Sequence, residues 1–167
     1  NTTFSDPVRI FVIDFSTDSL AQMAGSIRCS ATSASFTFDG KRIFGCGLYL
    51  EYTGSTYHLS IGSEDNGVVY LENCKVIATN QSAAGNYLRL GATSSAGNNS
   101  FVKLVNCEVS GGSTHSSNPH GIVIGNEVVI QGGSVHSRTP SQMFAATYRP
   151  GTLRMYGVTI TSDSIAP

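Results

Sequence analysis

One short pattern of apolar and polar positions recurs along this chain. It runs apolar, any residue, Asn or Gly, small apolar, any residue, then a β-branched residue or Leu. Leu71-Glu-Asn-Cys-Lys-Val76 and Leu104-Val-Asn-Cys-Glu-Val109 match it in full. Ile43-Phe-Gly-Cys-Gly-Leu48, Ile130-Gln-Gly-Gly-Ser-Val135 and Met155-Tyr-Gly-Val-Thr-Ile160 fit as well. The Asn/Gly position falls at Gly45, Asn73, Asn106, Gly132 and Gly157, in steps of 28, 33, 26 and 25 residues. A second pattern keeps pace in Leu59-Ser-Ile-Gly62, Leu88-Arg-Leu-Gly91 and Ile122-Val-Ile-Gly125. Two strand-like patterns recurring together at this period are the signature of a solenoid.

Each unit is too short to bury its own apolar face, so it must stack on a neighbour. Val69/Leu71 and Val102/Leu104 alternate as a strand with one face on a core requires. The Asn/Gly column tolerates left-handed backbone and reads as a bend between two strands of each coil. Beyond the bend, Cys46, Cys74, Cys107, Gly133 and Val158 are expected to form one inward stack. Leu48, Val76, Val109, Val135 and Ile160 form the next. The architecture this predicts is an all-β, right-handed parallel β-helix of about five coils over residues 35–167. Residues 1–34 read as a lead-in and cap. Within them, Ser16 to Gly25 is either a short helix covering the open end or an irregular first coil.

Composition narrows the function. At 167 residues and 17.6 kDa one domain is expected, with 13% of residues charged and a net charge of -1. That gives no electrostatic footprint for nucleic acid, and no apolar run reaches the roughly 20 residues of a membrane span. Ser-, Asn-, Gly- and Thr-rich stretches from Ala78 to Asn86, Ala92 to Ser100, Ser110 to His120 and His136 to Gln142 read as variable loops. The start on Asn1 suggests a mature product or an excised fragment. The stop shortly after the fifth template suggests that the natural protein continues or that a partner covers this end.

The cysteines of the repeat read as small apolar core residues rather than disulfides or metal ligands; Cys29 falls outside the register. His115, His120 and His136 read as polar loop residues, so no metal or cofactor is expected. Lys75 over Glu108 reads as a cross-coil ion pair.

Two sets of residues could carry chemistry. Glycoside hydrolysis needs paired carboxylates about 5–9.5 Å apart, and Asp39, Glu51 and Glu72 on neighbouring coils are the candidates. The outward positions of the first strand form two mixed columns. One holds Arg42, Tyr70, Lys103, Val129 and Arg154; the other holds Phe44, Glu72, Val105, Gln131 and Tyr156. Such a strip suggests contact with other subunits or with sugar rings. Tyr70, Lys103, Arg154 and Tyr156 are the candidate substrate-binding residues.

With five Asn/Gly-bend copies, a Ser/Thr/Asn-rich surface and no Trp, residues 35–165 resemble the pectate-lyase-like β-helix superfamily. Within it they look most like bacteriophage tailspikes and tail fibres. The resemblance implies a homotrimer on a virion tail, or an extracellular protein, that binds or cleaves bacterial surface polysaccharide. A bacterial surface adhesin is a weaker alternative. No catalytic motif of the family is matched, and the Asp cluster with which pectate lyases hold calcium is missing. The resemblance therefore carries fold further than chemistry.

Overall fold

Alternation at Val69/Leu71, Val102/Leu104 and Val128/Ile130 puts all six side chains in the core with no exposed surface. The computed structural model describes residues 26–29, 36–39, 42–54, 58–63, 65–78, 88–91, 99–112, 121–139, 143–145 and 151–163. Every element within them is a strand, and each joins one of three parallel sheets. Wall I stacks β2 (Phe36–Phe38), β5 (Leu59–Ile61), β8 (Leu88–Leu90), β11 (Ile122–Ile124) and β14 (Phe144–Ala145). Wall II stacks β3 (Arg42–Cys46), β6 (Val68–Glu72), β9 (Phe101–Val105), β12 (Glu127–Gln131) and β15 (Thr152–Tyr156). Wall III stacks β1 (Ser26–Cys29), β4 (Tyr49–Tyr52), β7 (Lys75–Ala78), β10 (Glu108–Gly111), β13 (Ser134–Ser137) and β16 (Thr159–Ser162). The chain visits the walls in that order and returns, which makes a parallel β-helix. About three turns, β5–β7, β8–β10 and β11–β13, have a neighbour on both sides of every strand.

The bend between walls II and III is built as the Asn/Gly column requires. Asn73 and Asn106 take φ of 51° and 50°, and Gly132 and Gly157 take 67° and 62°. Each bend is also tied to the next coil. Asn73 N–H donates to the Val105 carbonyl at 2.9 Å, and Asn106 N–H to the Gln131 carbonyl at 2.8 Å. Asn106→Gly should therefore be mild. Asn106→Val should cost about 1–2 kcal/mol, because a β-branched side chain resists left-handed backbone. Urea denaturation of the two variants checks this, and equal midpoints would contradict the bend.

The first template needs a correction. Gly47, not Gly45, carries the positive φ of 67°, and Gly45 pairs with Leu71 in the wall-II register. Leu48 therefore takes the inward position held by Cys74 in the next coil, and Leu50 the position of Val76. The cause is a swap of volumes. A Cβ on Gly45 would lie 2.7 Å from Leu48 Cδ1 and 2.9 Å from Leu71 Cδ2, so leucine fills the space that the glycine leaves. Two glycines two residues apart can each supply the bend, and packing selects the later one. Cys46 consequently sits on wall II in register with Glu72, half-buried, and leaves the inward cysteine stack.

Cys74 and Cys107 remain in that stack as free, buried thiols. Cys107 Sγ lies 3.4 Å from both the Leu71 and Val105 carbonyls, and Cys74 Sγ 3.2 Å from the Glu72 carbonyl. The hydrogen bond with Cys74, reinforced by burial, pushes the Cys107 thiol up. Under native conditions an alkylating reagent should leave Cys107 and Cys74 unlabelled in a peptide map, while reductant and chelator leave the melting temperature unchanged. Native labelling of Cys107 would contradict this packing.

Wall III begins before the residues that fit the template. Ser26–Cys29 pairs in parallel with Tyr49–Tyr52, which places Cys29 in register with Tyr52. The helix expected at Ser16 to Gly25 lies outside the described residues, as do most of the variable loops.

A candidate binding face on the second wall

The three walls differ on their outer sides. On wall I the outward residues Ser60 and Val123 are buried, and Val123 with Ala145 forms a small second core outside the solenoid. On wall III outward Glu51 and Ser110 are buried, Glu51 being only 5% exposed. Wall II is different: none of its fifteen outward side chains is buried. Phe44 is 63% exposed and Tyr156 56%. They stand on the two end strands of this face, and exposed large apolar side chains are a mark of an interaction surface.

Register fixes what this face contains. One column reads Phe44, Tyr70, Lys103, Val129, Arg154, and its neighbour Cys46, Glu72, Val105, Gln131, Tyr156. A third, Arg42, Val68, Phe101, Glu127, Thr152, flanks them. The two-residue correction moves Phe44 into the column where Arg42 was expected. It stacks on Tyr70, ring centroids 6.2 Å apart and tilted 37°. Lys103 Nζ lies 5.7 Å from the Tyr70 ring centroid, as a cation–π contact. Arg154 forms an ion pair with Glu127. The Tyr70 hydroxyl is pushed up in pKa, first by burial and then by the Glu72 carboxylate, which also accepts its hydrogen bond.

The expected binding residues Tyr70, Lys103, Arg154 and Tyr156 thus share one face. The expected carboxylates do not. Asp39 sits at the corner between walls I and II, where it accepts hydrogen bonds from Ser63 N–H and Oγ–H. Glu51 points out of wall III in register with Arg28 and Ile77, and Glu72 points out of wall II. Phe101 and Val68 escaped the sequence reading because the alternation that marks the wall begins at Val102 and Val69, one position after them.

Further polar contacts lie on wall III. Lys75 and Glu108 form the expected ion pair at 2.8 Å, well exposed to solvent, so it weighs little in stability. His136, in register with Thr161, shares hydrogen bonds with Thr161 Oγ1 at 2.9 Å and Asp163 Oδ1 at 3.0 Å. His115 and His120 lie outside the described residues.

No protein family, curated protein or solved structure matches this chain.

Proposed function

We propose that the chain is a right-handed, five-coil β-helical module of a bacteriophage tailspike or tail fibre. In this reading it attaches to bacterial surface polysaccharide through the outer face of wall II, outside the cell, on a virion tail. The observation that carries it is the open aromatic and cationic strip Phe44, Tyr70, Lys103, Arg154 and Tyr156. Flat aromatic faces pack against the apolar sides of sugar rings, and cations on long stems reach their oxygens. A parallel β-sheet holds these side chains at fixed spacing, so little ordering is needed on binding.

The competing reading is a polysaccharide depolymerase on the same fold. Glu72 lies on the binding face, but Asp39 and Glu51 are held elsewhere. Glu127 shares the face, but it is paired with Arg154. It stands two strands and four residues from Glu72, roughly 16 Å away, too far to act with it as a hydrolytic pair. An adhesin would use the same face on a different carrier. Incubation with capsule or O-antigen polysaccharide separates binding from cleavage. Retention of polymer without new reducing ends or unsaturated product is expected; release of either would establish the depolymerase.

A homotrimer is the assembly that goes with this reading. Sedimentation equilibrium at micromolar concentration tests it, since a mass near 17.6 kDa contradicts the trimer and about three times that supports it. If Val105→Lys with Val129→Glu then releases monomers, the strip belongs to the subunit interface and the glycan must bind elsewhere.

A further inference from the structure

Charge on the wall-II face is unevenly satisfied. Of its five charged outward side chains, Arg154 and Glu127 neutralise each other, and Glu72 accepts the Tyr70 hydroxyl. That leaves two cations. Among the described residues neither Arg42 nor Lys103 has a carboxylate partner, and Lys103 is held only over the Tyr70 ring. They flank Phe44, the most exposed aromatic among the described residues. Arg42 stands two residues from Phe44 on the same strand, about 6.6 Å away. Lys103 stands two strands from Phe44 in the same column, about 9.6 Å away. The result is an aromatic platform with an unpaired positive charge on each of two sides.

We propose that this corner of wall II recognises an acidic saccharide, its ring against Phe44 and its carboxylates facing Arg42 and Lys103. The proposal rests on the glycan reading above and names the class of sugar. A neutral glycan would leave both cations with water alone, so selectivity for acid is expected to come from these two residues. Arg42 offers a planar fork suited to a carboxylate, whereas Lys103 acts as a point charge fixed in position by Tyr70. Because both are solvent-exposed, the preference should weaken as salt rises.

The test titrates the full chain with oligogalacturonate, oligosialate and hyaluronan fragments, each beside its carboxyl-reduced neutral counterpart, and with polyglutamate as a charged chain without sugar rings. At least one acidic oligosaccharide should bind about tenfold or more tighter than its reduced form and than polyglutamate. Lys103→Gln and Arg42→Gln should each remove much of that preference. Lys75→Gln, on wall III, should leave it unchanged. Equal binding of acidic and reduced forms overturns this inference while leaving the glycan reading in place. Binding of polyglutamate as tight as the best sugar overturns it in favour of a plain cationic patch. Binding of no saccharide in either form overturns both this inference and the glycan reading for this face.

Discussion

Gly91→Ala is expected to lower the stability of the folded protein by roughly 2–5 kcal/mol, enough to unfold a marginally stable domain. Gly91 closes the second pattern of its coil at φ 81°, and an added Cβ would sit 1.9 Å from the Gly125 carbonyl oxygen of the next coil. Two penalties combine there. The left-handed backbone alone disfavours an L side chain by about 1–2 kcal/mol. The clash is with backbone, so no rotamer change relieves it, and the coils must separate locally. Gly157→Ala is the internal comparison. Its φ is similar, at 62°, but nothing lies within 4 Å of its would-be Cβ. It should therefore carry only the backbone penalty of about 1–2 kcal/mol. Chemical denaturation of both variants measures the difference, and equal losses would contradict the close coil-to-coil contact at Gly91.

The second large effect is expected in the core of wall II. Leu104 is fully buried and is in register with Leu71 on one side and Ile130 on the other. Leu104→Ala removes that packing in a stack whose neighbours are fixed by backbone hydrogen bonds, so collapse into the cavity is limited. A loss of about 2–5 kcal/mol follows. Val105, the next residue, points outward and is only half-buried. Val105→Ala should stay within about 0.5 kcal/mol. A strand that slips by one residue exchanges its two faces. Thermal or urea melts in which Val105→Ala is the more damaging change would invert the wall and sink the register.

The solenoid was legible because its two constraints leave marks at the level of single residues. Alternation at Val69/Leu71 and Val102/Leu104 marks the wall, and Asn73 and Asn106 mark the bend that only a few residue types accept. The first coil was misplaced by two residues because its evidence is ambiguous locally. Gly45 and Gly47 both satisfy the bend, and the choice depends on Leu48 and Leu71 filling one space from adjacent coils. β1 was missed for a related reason: Ile27 and Cys29 supply one alternating pair. Two residues before Ser26, where the later coils carry the bend residue, the sequence has Ala24 and not Asn or Gly.

The outer surface was legible to the extent that register fixes it. Tyr70, Lys103 and Arg154 were placed in one column correctly, since β6, β9 and β15 follow the template. Phe44 and Arg42 inherited the error of the first coil. What sequence could not supply is which wall is open. Glu51 and Val123 point outward by alternation just as Phe44 does, yet they are buried and Phe44 is not. Burial of an outward residue depends on what packs over the wall from distant parts of the chain, and no local pattern records that.

Affinity for bacterial surface polysaccharide in Phe44→Ala and Tyr156→Ala most directly tests the proposed recognition face on wall II. Both side chains are more than half exposed, so their truncation should leave the melting temperature within a few degrees of the unaltered protein. Affinity should fall about two- to tenfold in each, as the roughly 0.5–1.5 kcal/mol of an aromatic contact requires. Undiminished binding in a doubly substituted, fully folded protein would show that the polysaccharide is held somewhere other than wall II.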